Sequence, residues 1–315
     1  MEVWVPNSRN RLEKVLLGSV PSPTILQKIL GKSIPKAIER VLIETREDLD
    51  EIKKTYESLD VEVISSYPDQ PESATEDSIN VRDGFIVVDD HMFITKRVNV
   101  LENFYDTIQN KTFCEHLGRY CPDIYINDDY AILDRLDPEP YRYWRKQLSG
   151  KRQIITAFNE GHSDGIYCNV ADKIWLTNGK ALPFEKYWPK IPVMELSKNV
   201  KGEVNDWDKF EELMKDRELE KTKGGWFIYK HELSSEDIEF TEKHLENWTG
   251  YCEETLFDIN MSIIDENNVM AISQNSLVYE KLESLGIKVH KVPFRHRFFW
   301  DGGLHCITND LVRAK

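Results

Sequence analysis

Short runs of β-branched and aromatic residues, broken by polar turns, recur along this chain at a regular distance. "RDGFIVVDDHMFITKR" begins at Arg82, "PDIYINDDYAILDR" at Pro122 and "SDGIYCNVADKIWLTN" at Ser163. Each opens on an aspartate, continues through an apolar run, turns on polar residues and enters a second apolar run, which predicts a β-hairpin. The leading aspartates are Asp83, Asp123 and Asp164, at spacings of 40 and 41. "NMSIIDENNVMAIS" is a fourth copy, with Asn260 in the leading position, and "GGLHCITND" from Gly302 is a shorter fifth. Helical patterning falls between copies. Leu49, Ile52 and Tyr56 repeat at i, i+3 and i+7 within 44–60, just before the strand-like "VEVIS". The stretch 275–286 can be capped by Asn275 or Ser276 and stopped by Gly286, before "IKVHKV". The predicted unit is hairpin, helix, strand.

Repeats of 20–50 residues imply stacked or ring architectures, propellers among them. In a ring, equivalent positions converge on the central axis. Asp83, Asp123, Asp164, Asn260 and the segment from Gly302 to Cys306 should then surround one polar pocket. Charged groups are rarely buried without partners, so converging acids predict a cationic ligand. The 96-residue interval from Asp164 to Asn260 breaks the period. It holds an insertion over roughly 180–250, rich in charge and tryptophan (Trp188, Trp207, Trp226, Trp248), expected to be an elaborated module or a lid within one domain over 1–315.

Composition narrows the choice of ligand. The chain has 315 residues, 40% of them hydrophobic, and a formal net charge of −14. That charge gives no basic footprint for nucleic acid or an anionic membrane. No apolar run approaches the ~20 residues of a membrane span, and "MEVWVPNSRNRLEK" lacks the pattern of a signal peptide. The five cysteines (114, 121, 168, 252 and 306) are odd in number and scattered. They predict neither a disulfide framework nor a zinc site, and they fit a reducing cytoplasm. Gly302 and Gly303, just before His305 and Cys306, permit a tight bend or a close approach. The stretch fits a cysteine held beside a ligand as well as a buried structural thiol.

Taken together, these motifs resemble the amidinotransferases of the guanidino-group-modifying superfamily. "NVRDGFIVV", "GHSDGIYCNVADKIWLTN" and above all "GGLHCITNDLVR" are similar to that family's strands and C-terminal ending in order and spacing. The resemblance implies an α/β pentein propeller of five ββαβ modules with pseudo-fivefold symmetry. It also implies a cofactor-free reaction in which Cys306 attacks the guanidinium carbon of L-arginine. An amidino-cysteine forms, and an amine acceptor takes the group. His162 would be the general acid and base. Asp83 and Asp164 would grip the guanidinium through paired, charge-assisted hydrogen bonds, with Asn260 beside them. His305 is expected to be a structural neighbour of Cys306.

The chain departs from the family at two places. Where the family has an aspartate orienting the catalytic histidine, three residues ahead of the repeat's leading acid, this chain has Tyr120. The nearest carboxylate is Asp123, so either Asp123 or the Tyr120 hydroxyl would orient His162. Where the family has an arginine for the substrate carboxylate, this chain has "TNGKAL", in which Lys180 would stand in. Two alternatives stay open: a guanidine hydrolase of the same superfamily, in which water resolves the adduct, and a non-catalytic guanidine-binding protein. Partners are small molecules, and a homo-oligomer is compatible with the sequence.

Overall fold

The computed structural model describes residues 1–66, 79–95, 101–114, 124–135, 138–158, 163–177, 182–196, 220–222, 225–227, 234–244, 258–272, 276–300 and 302–315. Each predicted hairpin is present. β3 (Phe85–Val88) pairs antiparallel with β4 (His91–Ile94), β6 (Ile124–Ile126) with β7 (Tyr130–Asp134), β9 (Tyr167–Val170) with β10 (Ile174–Thr177), and β14 (Ser262–Ile263) with β15 (Asn268–Ala271). The polar turns earn their residues. Ala171 and Asp172 both sit at left-handed φ, 54° and 56°. Asn169 fixes the turn by accepting from the Asp172 N–H at 2.9 Å and donating to its carboxylate at 2.7 Å.

A helix follows each hairpin and returns the chain to a third strand, parallel to the second. Helix α3 (Glu102–Thr107) leads to β5 (Lys111–Phe113), α4 (Pro138–Leu148) to β8 (Gln153–Ala157), α5 (Phe184–Tyr187) to β11 (Val193–Glu195), and α7 (Ser276–Ser284) to β16 (Lys288–Lys291). A parallel neighbour requires such a crossover. Gly286, at φ 75°, ends α7 where the sequence predicts.

The fifth module is split between the two ends of the sequence. Its first strand, β17 (Thr308–Arg313), pairs antiparallel with β1 (Leu12–Leu17), and β1 pairs parallel with β2 (Glu62–Ser65). Between β1 and β2 run α1 (Pro23–Leu30) and α2 (Lys36–Ser58). Helix α1 is capped by Ser22, carries Pro23 in its first turn and ends at Gly31 with φ 64°. Helix α2 is longer than the 44–60 stretch predicts. Ile38, Val41, Leu42, Thr45, Asp48, Leu49, Ile52 and Tyr56 form its continuous buried stripe.

The five three-stranded sheets are therefore five ββαβ modules. Their first strands surround one internal cavity of about 90 Å³, lined by Val87, Tyr125, Cys168, Ser262 and Asp310, one from each module. Within the long interval, β9, β10, α5 and β11 belong to the third module, so part of the 180–250 stretch is module rather than insertion. The further described elements are the hairpin β12 (Glu220–Thr222) and β13 (Gly225–Phe227) and helix α6 (Ser235–His244). Phe240 of α6 joins the core formed with α1 and α2. No helix among the described residues is long and apolar enough to cross a membrane.

Arg313 ties the split module to its neighbour. It is 2% exposed and donates to Asp310 at 2.9 Å, to the Asn10 carbonyl at 2.5 Å and to the Ile263 carbonyl at 2.8 Å. Burial alone would raise the Asp310 pKa, but the charges of Arg313, Arg82 and His305 outweigh it and hold the group below its ordinary value. This carboxylate's contribution to stability is complete above the unfolded value near ~4. It is lost as pH falls through the lower folded value. Arg313→Met should cost about 3–5 kcal/mol, because it strands a buried charge. Urea unfolding should also show its acid-induced loss of stability beginning at a higher pH than in the wild type. Equal midpoints at pH 7 would refute this role for Arg313.

Candidate active site

Cys306 lies on a bend between Gly302 and the start of β17, and Asn260 holds that bend. The Asn260 backbone carbonyl accepts from the Leu304 N–H at 3.1 Å. Its side-chain oxygen accepts from the N–H groups of His305 at 2.8 Å and Cys306 at 3.1 Å. The glycines serve this close approach. A Cβ on Gly303 would lie 2.4 Å from the Asn260 side-chain oxygen, and one on Gly302 would lie 2.5 Å from that of Asn80. Asn80 in turn donates to the Trp300 carbonyl at 3.0 Å. The segment before the bend is anchored on α2: Trp300 Nε1 donates to Thr45 at 2.9 Å, and Asp48 accepts from the Arg295 N–H at 2.7 Å.

Asp164 sits on a 3₁₀ turn, Ser163–Gly165, immediately before β9. One oxygen of its carboxylate is 3.6 Å from Cys306 Sγ, 3.3 Å from Asn260 Nδ2 and 2.7 Å from His305 Nδ1. Asn260 Nδ2 also donates to Cys306 Sγ at 3.0 Å. Asp83 occupies the corresponding turn before β3, Val81–Asp83, and is half-buried. Its neighbour Arg82 donates its backbone N–H to the Cys306 carbonyl at 3.1 Å and its Nε to the His305 carbonyl at 3.3 Å. Cys306, Asp164 and Asn260 are thus brought into direct contact, with Asp83 on the adjoining turn. Tyr120, Asp123, His162 and Lys180 lie outside the described residues. His162 directly precedes Ser163, where the Asp164 turn begins.

Charge beneath the bend is concentrated. The axial cavity is lined by Arg82, Asp164, His305, Asp310 and Arg313. Burial lowers the His305 pKa and the Arg82 charge lowers it further, against the opposing pull of Asp164. His305 in its neutral form donates Nδ1–H to the carboxylate. Cys168, by contrast, is pushed up to about 12 by burial and then by Asp164, and burial also raises Cys114. Those two thiols are held in their unreactive form. A thiol between an amide donor and a carboxylate suits attack on a cationic carbon that the carboxylate has drawn in.

Two participants were not apparent from the sequence as such. Arg82 stands inside the "NVRDGFIVV" motif, but its grip on the His305 and Cys306 carbonyls follows only once β3 and β17 are side by side. His305 was expected beside Cys306, and its contact with Asp164 spans two modules. The arginine directly before the strand-leading Asp83 is the sequence signal that could have drawn attention to Arg82.

No known protein-family profile matches the chain. A 55-residue stretch is 42% identical to the mitochondrial glycine amidinotransferase of Danio rerio, and it spans 18% of this chain and 13% of that relative. Among solved structures, SxtG, an amidinotransferase of the saxitoxin biosynthetic pathway from Microseira wollei, superposes with a TM-score of 0.66 at 14% identity, covering 99% of this chain and 98% of that one. The inosamine-phosphate amidinotransferase StrB1 from Streptomyces griseus gives 0.64 at 14%, covering 99% and 97%. DDAH of Pseudomonas aeruginosa, in complex with citrulline, gives 0.58 at 13%, covering 96% and 100%. The chain has the pentein fold, the five-module architecture of these amidinotransferases and of the DDAH hydrolase.

Proposed function

We propose that this protein is an amidinotransferase that takes the amidino group of L-arginine onto Cys306 and passes it to an amine acceptor. The observation that carries the reading is the Cys306 sulfur 3.6 Å from the Asp164 carboxylate, on a bend clamped by Asn260. Asp164 and Asp83 would hold the guanidinium, and Lys180 the substrate carboxylate. Cys306 Sγ forms a bond to the guanidinium carbon, and the bond from that carbon to the ornithine nitrogen breaks. His162 gives that nitrogen its proton. The acceptor amine then attacks the amidino carbon, returns a proton to His162 and releases the thiolate. Fixing nucleophile and electrophile together can be worth ~7–11 kcal/mol of barrier.

Hydrolysis is the second reading, supported by the DDAH neighbour on the same fold. One experiment separates the two. Arginine without acceptor should leave an amidino group on Cys306, found by mass spectrometry in the peptide containing "GGLHCITND". Ornithine should be released as the adduct forms, and in a transferase an amine acceptor should then discharge the amidino group to a guanidino product. In a hydrolase that makes citrulline, ammonia would leave instead of ornithine, and the adduct would keep the ornithine chain. Water would then release it, so citrulline with ammonia would identify a hydrolase. Undiminished turnover in Cys306→Ala, or an adduct on another cysteine, would sink both readings. No adduct and no turnover would favour a guanidine-binding protein.

Asp83→Asn and Asp164→Asn should each weaken arginine binding by about 2–5 kcal/mol in calorimetry while leaving the circular dichroism spectrum unchanged. Wild-type affinity in both would put the guanidinium site elsewhere. Asp123→Asn should lower kcat while Tyr120→Phe leaves it nearly unchanged. The reverse order would assign the orientation of His162 to the tyrosine hydroxyl.

A further inference from the structure

We infer that Asn260 is a positioning residue that fixes Cys306 and biases its sulfur towards the thiolate. The inference deepens the reading above and rests on it for its catalytic meaning. The orientation of the amide follows from its partners. Two backbone N–H groups, those of His305 and Cys306, converge on one side-chain atom of Asn260 at 2.8 and 3.1 Å. A backbone N–H can only donate, so that atom is the carbonyl oxygen. The NH₂ end is then the one 3.0 Å from Cys306 Sγ and 3.3 Å from Asp164 Oδ2.

An N–H donor aimed at sulfur favours the charged form of the thiol. Asn260 is 1% exposed, so water does not compete for that donor. Among the described residues, the carboxylates and the imidazole around Cys306 do not supply the same effect. The Asp164 carboxylate, 3.6 Å away, opposes the thiolate, and so does Asp310 on β17 from farther off. His305, on the same bend, is held towards its neutral form. Asp83 adds negative charge on the adjoining turn, and the Arg82 guanidinium, whose Nε donates to the His305 carbonyl, opposes it with a positive charge. The Asn260 amide bridges sulfur and carboxylate, donating to both, and its own carbonyls hold three successive N–H groups of the bend. Gly303 is required because any Cβ there would displace it.

Asn260→Asp tests this without dismantling the bend. The aspartate keeps an acceptor for the two backbone N–H groups, loses the donor to sulfur and adds a negative charge. The rate at which iodoacetamide alkylates Cys306 should be followed against pH with no substrate present, with the site read from the "GGLHCITND" peptide. Relative to the wild type, the variant's thiol should titrate at least one pH unit higher, and its alkylation at pH 7 should be about tenfold slower. Asn260→Ala should shift the profile in the same direction and speed amide hydrogen exchange at Leu304, His305 and Cys306. If the aspartate variant does not fold, the alanine variant decides alone. An unchanged pH profile in a folded variant overturns the inference. Because no substrate is used, failure of the arginine reaction in the wild-type protein would overturn the transferase reading without altering this result.

Discussion

The pairing of β17 with β1 is the constraint on which the site depends. It joins the last strand of the ring to the first, with Leu16 opposite Asn309 and Leu17 opposite Thr308. Only when β17 lies in that register does the bend before it meet Asn260 from the fourth module, Asp164 from the third and Arg82 from the first. The pairing is itself locked from inside the ring. Arg313 bonds across it to the Asn10 carbonyl, and Asn309 donates to the Phe85 carbonyl at 2.7 Å. Arg313, Asn309 and Phe85 are buried, so their polar groups must be satisfied in one arrangement or bear the cost of desolvation. That requirement makes the geometry around Cys306 specific rather than merely compact.

The same arithmetic of buried polar groups explains the helical buttress outside the ring. Asp48 is 2% exposed in the middle of α2, a position that an apolar residue would ordinarily take. It is there for Arg295, which reaches it through both Nε and the backbone N–H. His296 meets Glu44 at 2.7 Å one turn earlier. These contacts, with Trp300 on Thr45, fix the direction in which the chain approaches Gly302. The bend is thus determined twice, by β17 after it and by α2 before it.

The hairpins were legible because period-two alternation and turn chemistry are local. Asp89, Ala171 and Asp172 lie in left-handed turns that the polar breaks in the pattern foretold. The repeat also carried the site part of the way. Asp83 and Asp164 occupy matching 3₁₀ turns, and Asn260 and Cys306 come to meet Asp164. The fifth module was only half visible, as "GGLHCITND", because its partners β1 and β2 stand at the other end of the sequence. The first two turns of α2 were missed for a different reason. The helix begins after Pro35 with no side-chain cap, so its start carries no polar signal. The contacts of Arg82 and His305 with other modules follow from closure of the ring, which no local pattern encodes.

Splitting one module across the sequence also orders events in time. Strand β1 and helix α2 are made early, yet the edge that β17 will cover stays open while nearly all the intervening chain is laid down. Contacts of such long separation close slowly, since the entropy of a large loop must be overcome first. Asp83 and Asp164 are therefore synthesised well before Cys306. On the function proposed above, the groups that hold a guanidinium precede in synthesis the thiol that cleaves it.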